Sequence, residues 1–329
     1  MGTTLSPARE NFPVLEGLPL INRGKVRDTY AIDNDYLLIV ASDAVSIFDH
    51  VLNTTIPRKG IVLNLLSHLW FQRLAEYGIP THMVATGTEI NPHLPKMHWG
   101  NDDLLARSMV VGRLRMVPVE FIARAYLTGS GLKAYNETGM VCGHTLPKGM
   151  RDGDKLPFVL DTPTTKAEVG HDEHLRADII RAKYPEETYL LTKTFQLVSS
   201  YLYERGILLA DTKLEMGRFG RTAYPIIGDE VFTPDSSRFW ERSAWEELNA
   251  SHSGKTPPPF DKQVIRNWGL TLGINQRKPE VAEDVGWVHE QEVPSDLVNI
   301  ATATYYDIFK RITGQTPEQY AQQHLGVTL

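Results

Sequence analysis

The stretch "ILLADTKLEMG", residues 207–217, is the key to this chain. It opens apolar, Ile207-Leu208-Leu209-Ala210, and then sets Asp211, Lys213 and Glu215 at every second position. Successive side chains of a β-strand point to opposite faces, so the three charges share one face. Ala210, Thr212, Leu214 and Met216 take the other. The apolar lead-in is hydrophobic enough to be buried, whereas a solvated strand face is the ordinary explanation of alternating charges. The next segment favours a site: a turn at "GRFGR" and a strand in "TAYPIIGDEVF" form a predicted β-hairpin ending in Gly228-Asp229-Glu230. Carboxylates from neighbouring strands can converge on Mg2+, a hard cation that takes oxygen ligands and keeps waters and phosphate oxygens.

Toward the N-terminus, residues 1–20 read as an irregular lead-in with Pro7, Pro13 and Pro19. "KVRDTYAI" and "YLLIVAS" read as strands joined by a turn at Asp33-Asn34-Asp35. Apolar residues at helical spacing predict a helix over 60–77 that stops at Gly78. Strands are expected at 81–86 and 104–126, and a long hairpin plus loop at 136–170. A helical stretch over 172–205 is interrupted near Pro185; the C-terminal part returns to helices, including roughly 294–312, and the "KTPPPF" break at 255–260 separates pieces of it. Antiparallel strands grouped before helices predict an α+β fold.

The 329 residues, 42% hydrophobic and 22% charged, have ordinary globular composition and enough length for two lobes. A net charge of −6 argues against nucleic acid or an anionic membrane as the main partner. No apolar run approaches the roughly 20 residues needed to span a bilayer. The only cysteine is Cys142, which excludes an intrachain disulfide and fits a reducing, cytoplasmic compartment. Val141 and Gly143 place it at a hairpin edge rather than at an activated site.

Further segments pair basic residues with small or hydroxyl residues. "RGKVRDTY", 23–30, puts Lys25 and Arg27 on one face after Gly24, suited to nucleotide phosphates. In "MVPVEFIARAYLTGSG", 116–131, Glu120 and Arg124 share a face, and Glu120 is a possible partner for the arginine. "TGSG" then offers Ser130 and backbone N–H groups to a phosphate. "PDSSRFW", 234–240, adds Arg238, and Lys262 and Arg266 lie one helical turn apart. "ASDAVSIFDH" carries Asp43, Ser46, Asp49 and His50; "TTKAEVGHDE" carries Lys166, Glu168, His171 and Asp172. His50 and His171 lack the spacing of a zinc site. Together these features suggest ATP-dependent chemistry on a phosphorylated small molecule.

At this point the chain resembles the phosphoribosylaminoimidazole-succinocarboxamide synthase (SAICAR synthetase) family. "MVPVEFIARAYLTGS" and "LADTKLEMG" are similar to its two signatures. "GKVRDTY", "SDAVSIFD", "TKAEVGHDE", "GDEVFTPDSSRFW" and "DKQVIRNW" occur in the family's order, so the likeness runs from about residue 20 to 270. Thr29-Tyr30 and Ala44-Val45 depart from the family's usual residues and are expected to shift substrate contacts slightly.

The resemblance implies a two-lobed fold. Residues 1–115 would form an antiparallel lobe over a kinase- or ATP-grasp-like nucleotide cleft, and 116–329 a larger mixed lobe with the metal hairpin and substrate site. It implies ligation of L-aspartate to the carboxylate of 5-amino-4-carboxyimidazole ribonucleotide (CAIR), with ATP and Mg2+. By the same resemblance Glu215 and Asp229 ligand Mg2+, Lys213 contacts phosphates or the reacting carboxylate, and Asp211 orients that group. Lys25, Val26, Arg27, Met116, Glu120 and Lys166 serve ATP. Arg124, Ser130 and Arg238 hold the CAIR phosphate, helped by Lys262 and Arg266; Asp43, Ser46, Asp49 and Asp172 line the remaining substrate surface. A monomer is expected. The rival readings are a small-molecule kinase, another carboxylate–amine ligase, and a nucleotide-sensing scaffold with a degraded metal pair.

Overall fold

The computed structural model describes residues 6–166 and 173–329. The chain divides into two compact units: residues 1–72, 82–113 and 261–329 in the first, 73–81 and 114–260 in the second. The break after Arg113 falls beside the expected boundary at 115/116, whereas residues 261–329 group with the first unit. Side-chain packing accounts for this. Helix Ser295–Thr313 buries Tyr305, Ile308, Phe309 and Ile312, and Lys59 lies over the Tyr305 ring at 5.7 Å. Such contacts join positions far apart in sequence and leave no local pattern.

The first unit is built on a five-stranded antiparallel sheet, ordered Leu20–Arg23, Arg27–Ala31, Tyr36–Ala41, Ser108–Gly112, Met83–Thr86. The expected turn is present: Asp33 Oδ1 accepts from the backbone N–H of Asp35 and Tyr36, both at 2.8 Å. Leu38 and Val40 point into the core opposite Val110 and Ser108. Helix Lys59–Glu76 is apolar around most of its circumference and is accordingly buried, with Val62, Leu65, Leu66 and Trp70 fully covered. Gly78 follows with φ +67°, a left-handed position that glycine adopts without strain. Tyr30 and Val45 are fully buried, so two of the departures from the family pattern are core residues rather than substrate contacts.

The second unit centres on the strand Ile207–Phe219, 13 residues that are buried along most of their length. On one side it pairs with Val119–Tyr126, and on the other with Ser237–Glu241. Further along, it pairs with Ile226–Gly228 and Leu114–Met116, completing the expected hairpin. Strand Val119–Tyr126 carries Lys155–Asp161 and Thr164–Thr165 on its free edge. The close pairing at Leu114–Met116 needs Gly217, where a Cβ would come within 2.8 Å of the Leu114 Cβ.

Helix Pro185–Tyr203 covers this sheet with Leu191, Phe195, Val198 and Leu202, spaced to share one face. Full burial of such a side chain contributes about 1.5–3 kcal/mol. Helix Ala177–Lys183 precedes it, and the interruption falls at Tyr184-Pro185 as expected. Two short helices depart from the sequence reading. Asp102–Ala106, its N-terminus capped by Asn101, overlaps the start of the strand expected at 104–126, and Gly129–Thr138, "GSGLKAYNET", runs into the start of the hairpin expected at 136–170. Among the described residues no helix is long and apolar enough to cross a membrane.

Candidate active site

In the second unit, the alternation in the central strand builds two charge systems side by side. Asp211 is opposite Arg124 in one ladder and opposite Arg238 in the other. The second pairing depends on a one-residue bulge, because the register shifts between Leu209 and Asp211 and leaves Ala210 extra. Both guanidinium groups converge on Asp211 Oδ2, Arg124 Nη1 at 2.6 Å and Arg238 Nη1 at 3.1 Å. Arg124 also donates to Thr162 Oγ1 and Ser130 Oγ, both at 2.9 Å. The partner of Arg124 is therefore Asp211 and not Glu120. Sequence spacing favoured a neighbour on the same strand, but the cross-strand register brings Asp211 closer.

Glycines make room for these arginines. A Cβ on Gly129, whose φ is +56°, would sit 3.0 Å from the Arg238 Nη2, and one on Gly131 would sit 3.3 Å from the Arg124 Cδ. Ser130 lies in the first turn of helix Gly129–Thr138, where backbone N–H groups lack intrahelical acceptors. Two arginines, a hydroxyl and a helix N-terminus form a setting suited to a phosphomonoester.

Two residues further along, Lys213 Nζ donates to Glu120 Oε1 at 2.7 Å and to Glu215 Oε1 at 3.0 Å. Glu120 Oε2 accepts from Thr164 Oγ1 at 3.1 Å, and Glu215 Oε2 pairs with Lys166. Burial of Lys213 opposes its charge, but Glu215, Glu120 and Asp229 outweigh it and raise the lysine above its ordinary range. Lys213 thus remains a cation at any working pH. Asp229 follows Gly228, which is paired with Glu215, and takes a left-handed φ of +56°. The donors of Glu215 and Asp229 are hard carboxylate oxygens, which fit Mg2+ with waters and phosphates completing its shell. Among the described residues, no group of three or more His, Cys, Asp or Glu is placed to hold a metal ion. Met116, 37% exposed, ends the short strand paired with Gly217.

In the first unit, Lys25 reaches Asp49 Oδ1 at 2.7 Å. Val26 offers its carbonyl to the backbone N–H and the hydroxyl of Ser42, both at 2.8 Å. Arg27 is half-buried at the start of its strand. Asp43 accepts from the N–H groups of Gly60 and Arg58 and from Arg107, so its carboxylate caps helix Lys59–Glu76. Ser46 is half-buried on the hairpin strand Ala44–Ile47. Lys262 and Arg266 do not share one environment: Lys262 is 8% exposed and precedes helix Gln263–Thr271, whereas Arg266 is half-buried near Asp261. Glu168, His171 and Asp172 lie outside the described residues.

Thr162 and Thr164 were missed by the sequence reading, and so was Arg107. The two threonines had a signal. Thr162, Thr164 and Lys166 alternate just as Asp211, Lys213 and Glu215 do, and their partners are those residues or the neighbours they bind. Cys142 is buried in its hairpin turn, and burial raises its thiol to about 11.

The SAICAR synthetase family model matches residues 20–281 of this chain. A phosphoribosylaminoimidazole-succinocarboxamide synthase of Saccharopolyspora erythraea is 40% identical over 311 residues, 91% of this chain and 95% of that protein. Among solved structures, the Saccharomyces cerevisiae SAICAR synthase complexed with SAICAR is 33% identical, with a TM-score of 0.76 over 92% of this chain and 97% of the yeast one. A SAICAR synthetase in complex with ADP shares the fold at 22% identity, with a TM-score of 0.62 over 90% of this chain and 99% of that one.

Proposed function

The chain belongs to the SAICAR synthetase family, and from that premise we propose how its residues join CAIR to L-aspartate at the expense of ATP. The observation that carries the reading is the central strand's charged face, where the Arg124–Asp211–Arg238 cluster stands two residues from the Glu120–Lys213–Glu215 ladder. One part suits the phosphate of a ribonucleotide and the other a reacting carboxylate with a transferring phosphoryl group.

A carboxylate is a poor acyl donor because oxide does not leave. In the proposed sequence a CAIR carboxylate oxygen attacks the γ-phosphorus of ATP, and ADP departs. The amine of L-aspartate then attacks the acyl carbon of the acyl phosphate, inorganic phosphate leaves with the former carboxylate oxygen, and the amine loses a proton. Activation therefore consists largely of positioning and charge neutralisation.

Arg124, Ser130 and Arg238 hold the CAIR phosphate, and Asp211 fixes the angle of both guanidinium groups. Lys213 stays protonated, which suits it to stabilise negative charge at the phosphoryl or acyl centre rather than to carry protons. Mg2+, held by Glu215 and Asp229, supplies further positive charge to the phosphates when bound. Glu120 sets the Lys213 ammonium, and Lys166, Lys25, Val26, Arg27 and Met116 complete the proposed ATP contacts. Lys262 and Arg266 are proposed anion contacts, and Asp43, Ser46, Asp49 and Asp172 substrate contacts. A cytoplasmic location is part of the same proposal.

Labelling the CAIR carboxylate with 18O tests the chemistry. One labelled oxygen per released phosphate is the expected result; unlabelled phosphate would exclude attack by the carboxylate on ATP.

A further inference from the structure

The family match begins at residue 20, yet a segment before it is tied to the hairpin that carries Lys25 and Arg27. Asp28, on strand Arg27–Ala31, is fully buried and faces two arginines. Arg23 spans both its oxygens, with Nε at 3.2 Å from each and Nη2 at 2.7 Å from Oδ2. Arg9, from the short N-terminal helix Pro7–Glu10, takes Oδ1. Arg9 is itself fully buried, and its Nε donates to the carbonyl of Gly24 at 3.3 Å. The connection runs both ways: Arg23 donates to the carbonyls of Arg9 and Phe12 at 3.0 and 3.2 Å. Leu15 N–H adds a bond to the hydroxyl of buried Tyr30 at 3.2 Å.

These bonds end beside the residues proposed for ATP phosphates. Gly24 precedes Lys25, and its N–H bonds to the Arg27 carbonyl at 2.8 Å, closing the turn that presents both cations. A fork-shaped guanidinium held by a buried carboxylate has one geometry, so it passes a fixed position to the carbonyl that it touches. We propose that Arg9 is a positioning residue for nucleotide binding: residues 6–12 form a clasp, closed on Asp28, that sets the phosphate-facing turn Gly24–Arg27. This inference rests on the reading that Lys25 and Arg27 meet ATP phosphates.

The test is calorimetric binding of ADP and, separately, of CAIR to Arg9→Met and Arg9→Lys, with Lys25→Met as the control. Arg9→Met is expected to weaken ADP about tenfold, as small displacements of binding groups do, and to leave CAIR within about twofold. Arg9→Lys, which keeps the charge but not the fork, is expected to recover only part of the loss; it carries the test if Arg9→Met does not fold. Unchanged ADP affinity in the folded Arg9 variants, alongside weakened ADP in Lys25→Met, would overturn the clasp. Unchanged ADP affinity in Lys25→Met would instead overturn the phosphate role of the turn, and the clasp with it.

Discussion

Arg124 and Asp211 are directly opposed across the ladder between two buried strands, and their side chains close to 2.6 Å. Arg238 meets the same carboxylate oxygen from the other side at 3.1 Å. Two cations on one anion leave the cluster with a net positive charge, which a substrate phosphate can neutralise. Burial and Arg238 both lower the Arg124 pKa, while Asp211 raises it. The guanidinium nevertheless stays charged at any pH at which the protein folds.

Arg238→Ala should therefore act on substrate binding before it acts on turnover. We expect KM for CAIR to rise about 10- to 100-fold, the equivalent of about 1.4–2.7 kcal/mol of one charge-assisted contact. Steady-state kinetics with CAIR as the varied substrate checks this. An unchanged KM would remove Arg238 from the phosphate grip.

Glu215 has the opposite signature. Its carboxylate is engaged by Lys213 and Lys166 and is the proposed metal ligand. Glu215→Ala should lower kcat by about 10³-fold or more and weaken Mn2+ binding measured by electron paramagnetic resonance. Near-normal activity at saturating Mg2+ would place the metal elsewhere.

His68 gives the fold a pH dependence. It is buried against Tyr320, with Nδ1 2.9 Å from the phenol oxygen, and burial, reinforced by His324, lowers its pKa from 6.5 to about 4. Between these values the unfolded chain binds a proton that the native chain refuses, so stability is complete above pH 6.5 and is lost as pH falls toward 4. The loss from this group amounts to roughly 3 kcal/mol. Urea denaturation at pH 7 and pH 4.5 should show a smaller difference for His68→Gln than for the unaltered chain; equal differences would contradict the assignment.

Cys142 should be silent in the folded protein. Its burial and raised thiol pKa predict slow labelling by iodoacetamide at pH 8 and fast labelling in denaturant. Equal rates, followed by mass spectrometry, would show that the hairpin turn opens in solution.

The alternation of Asp211, Lys213 and Glu215 and the hairpin after it were legible because a strand's two-residue period is a local property. The pairing was not. Asp211 meets Arg238 because of the extra residue at Ala210, and a bulge has no mark in this sequence. Helix Gly129–Thr138 was obscured by its composition, since two glycines with Asn and Thr have low helix propensity. Its stop at Gly139 is a left-handed glycine that lies within the hairpin and loop expected at 136–170. Asp43 was expected as a substrate contact by family resemblance; its carboxylate also caps a helix and pairs with Arg107, 64 residues away in sequence.

The proposed chemistry couples ATP cleavage to amide formation between CAIR and L-aspartate. That coupling is measured by following ADP release with ATP, Mg2+ and CAIR, with and without L-aspartate, while the ultraviolet spectrum reports the new amide. ADP and amide should appear together, in equal amounts and only when aspartate is present. Sustained ADP release that is indifferent to aspartate, with no amide formed, would contradict the coupling.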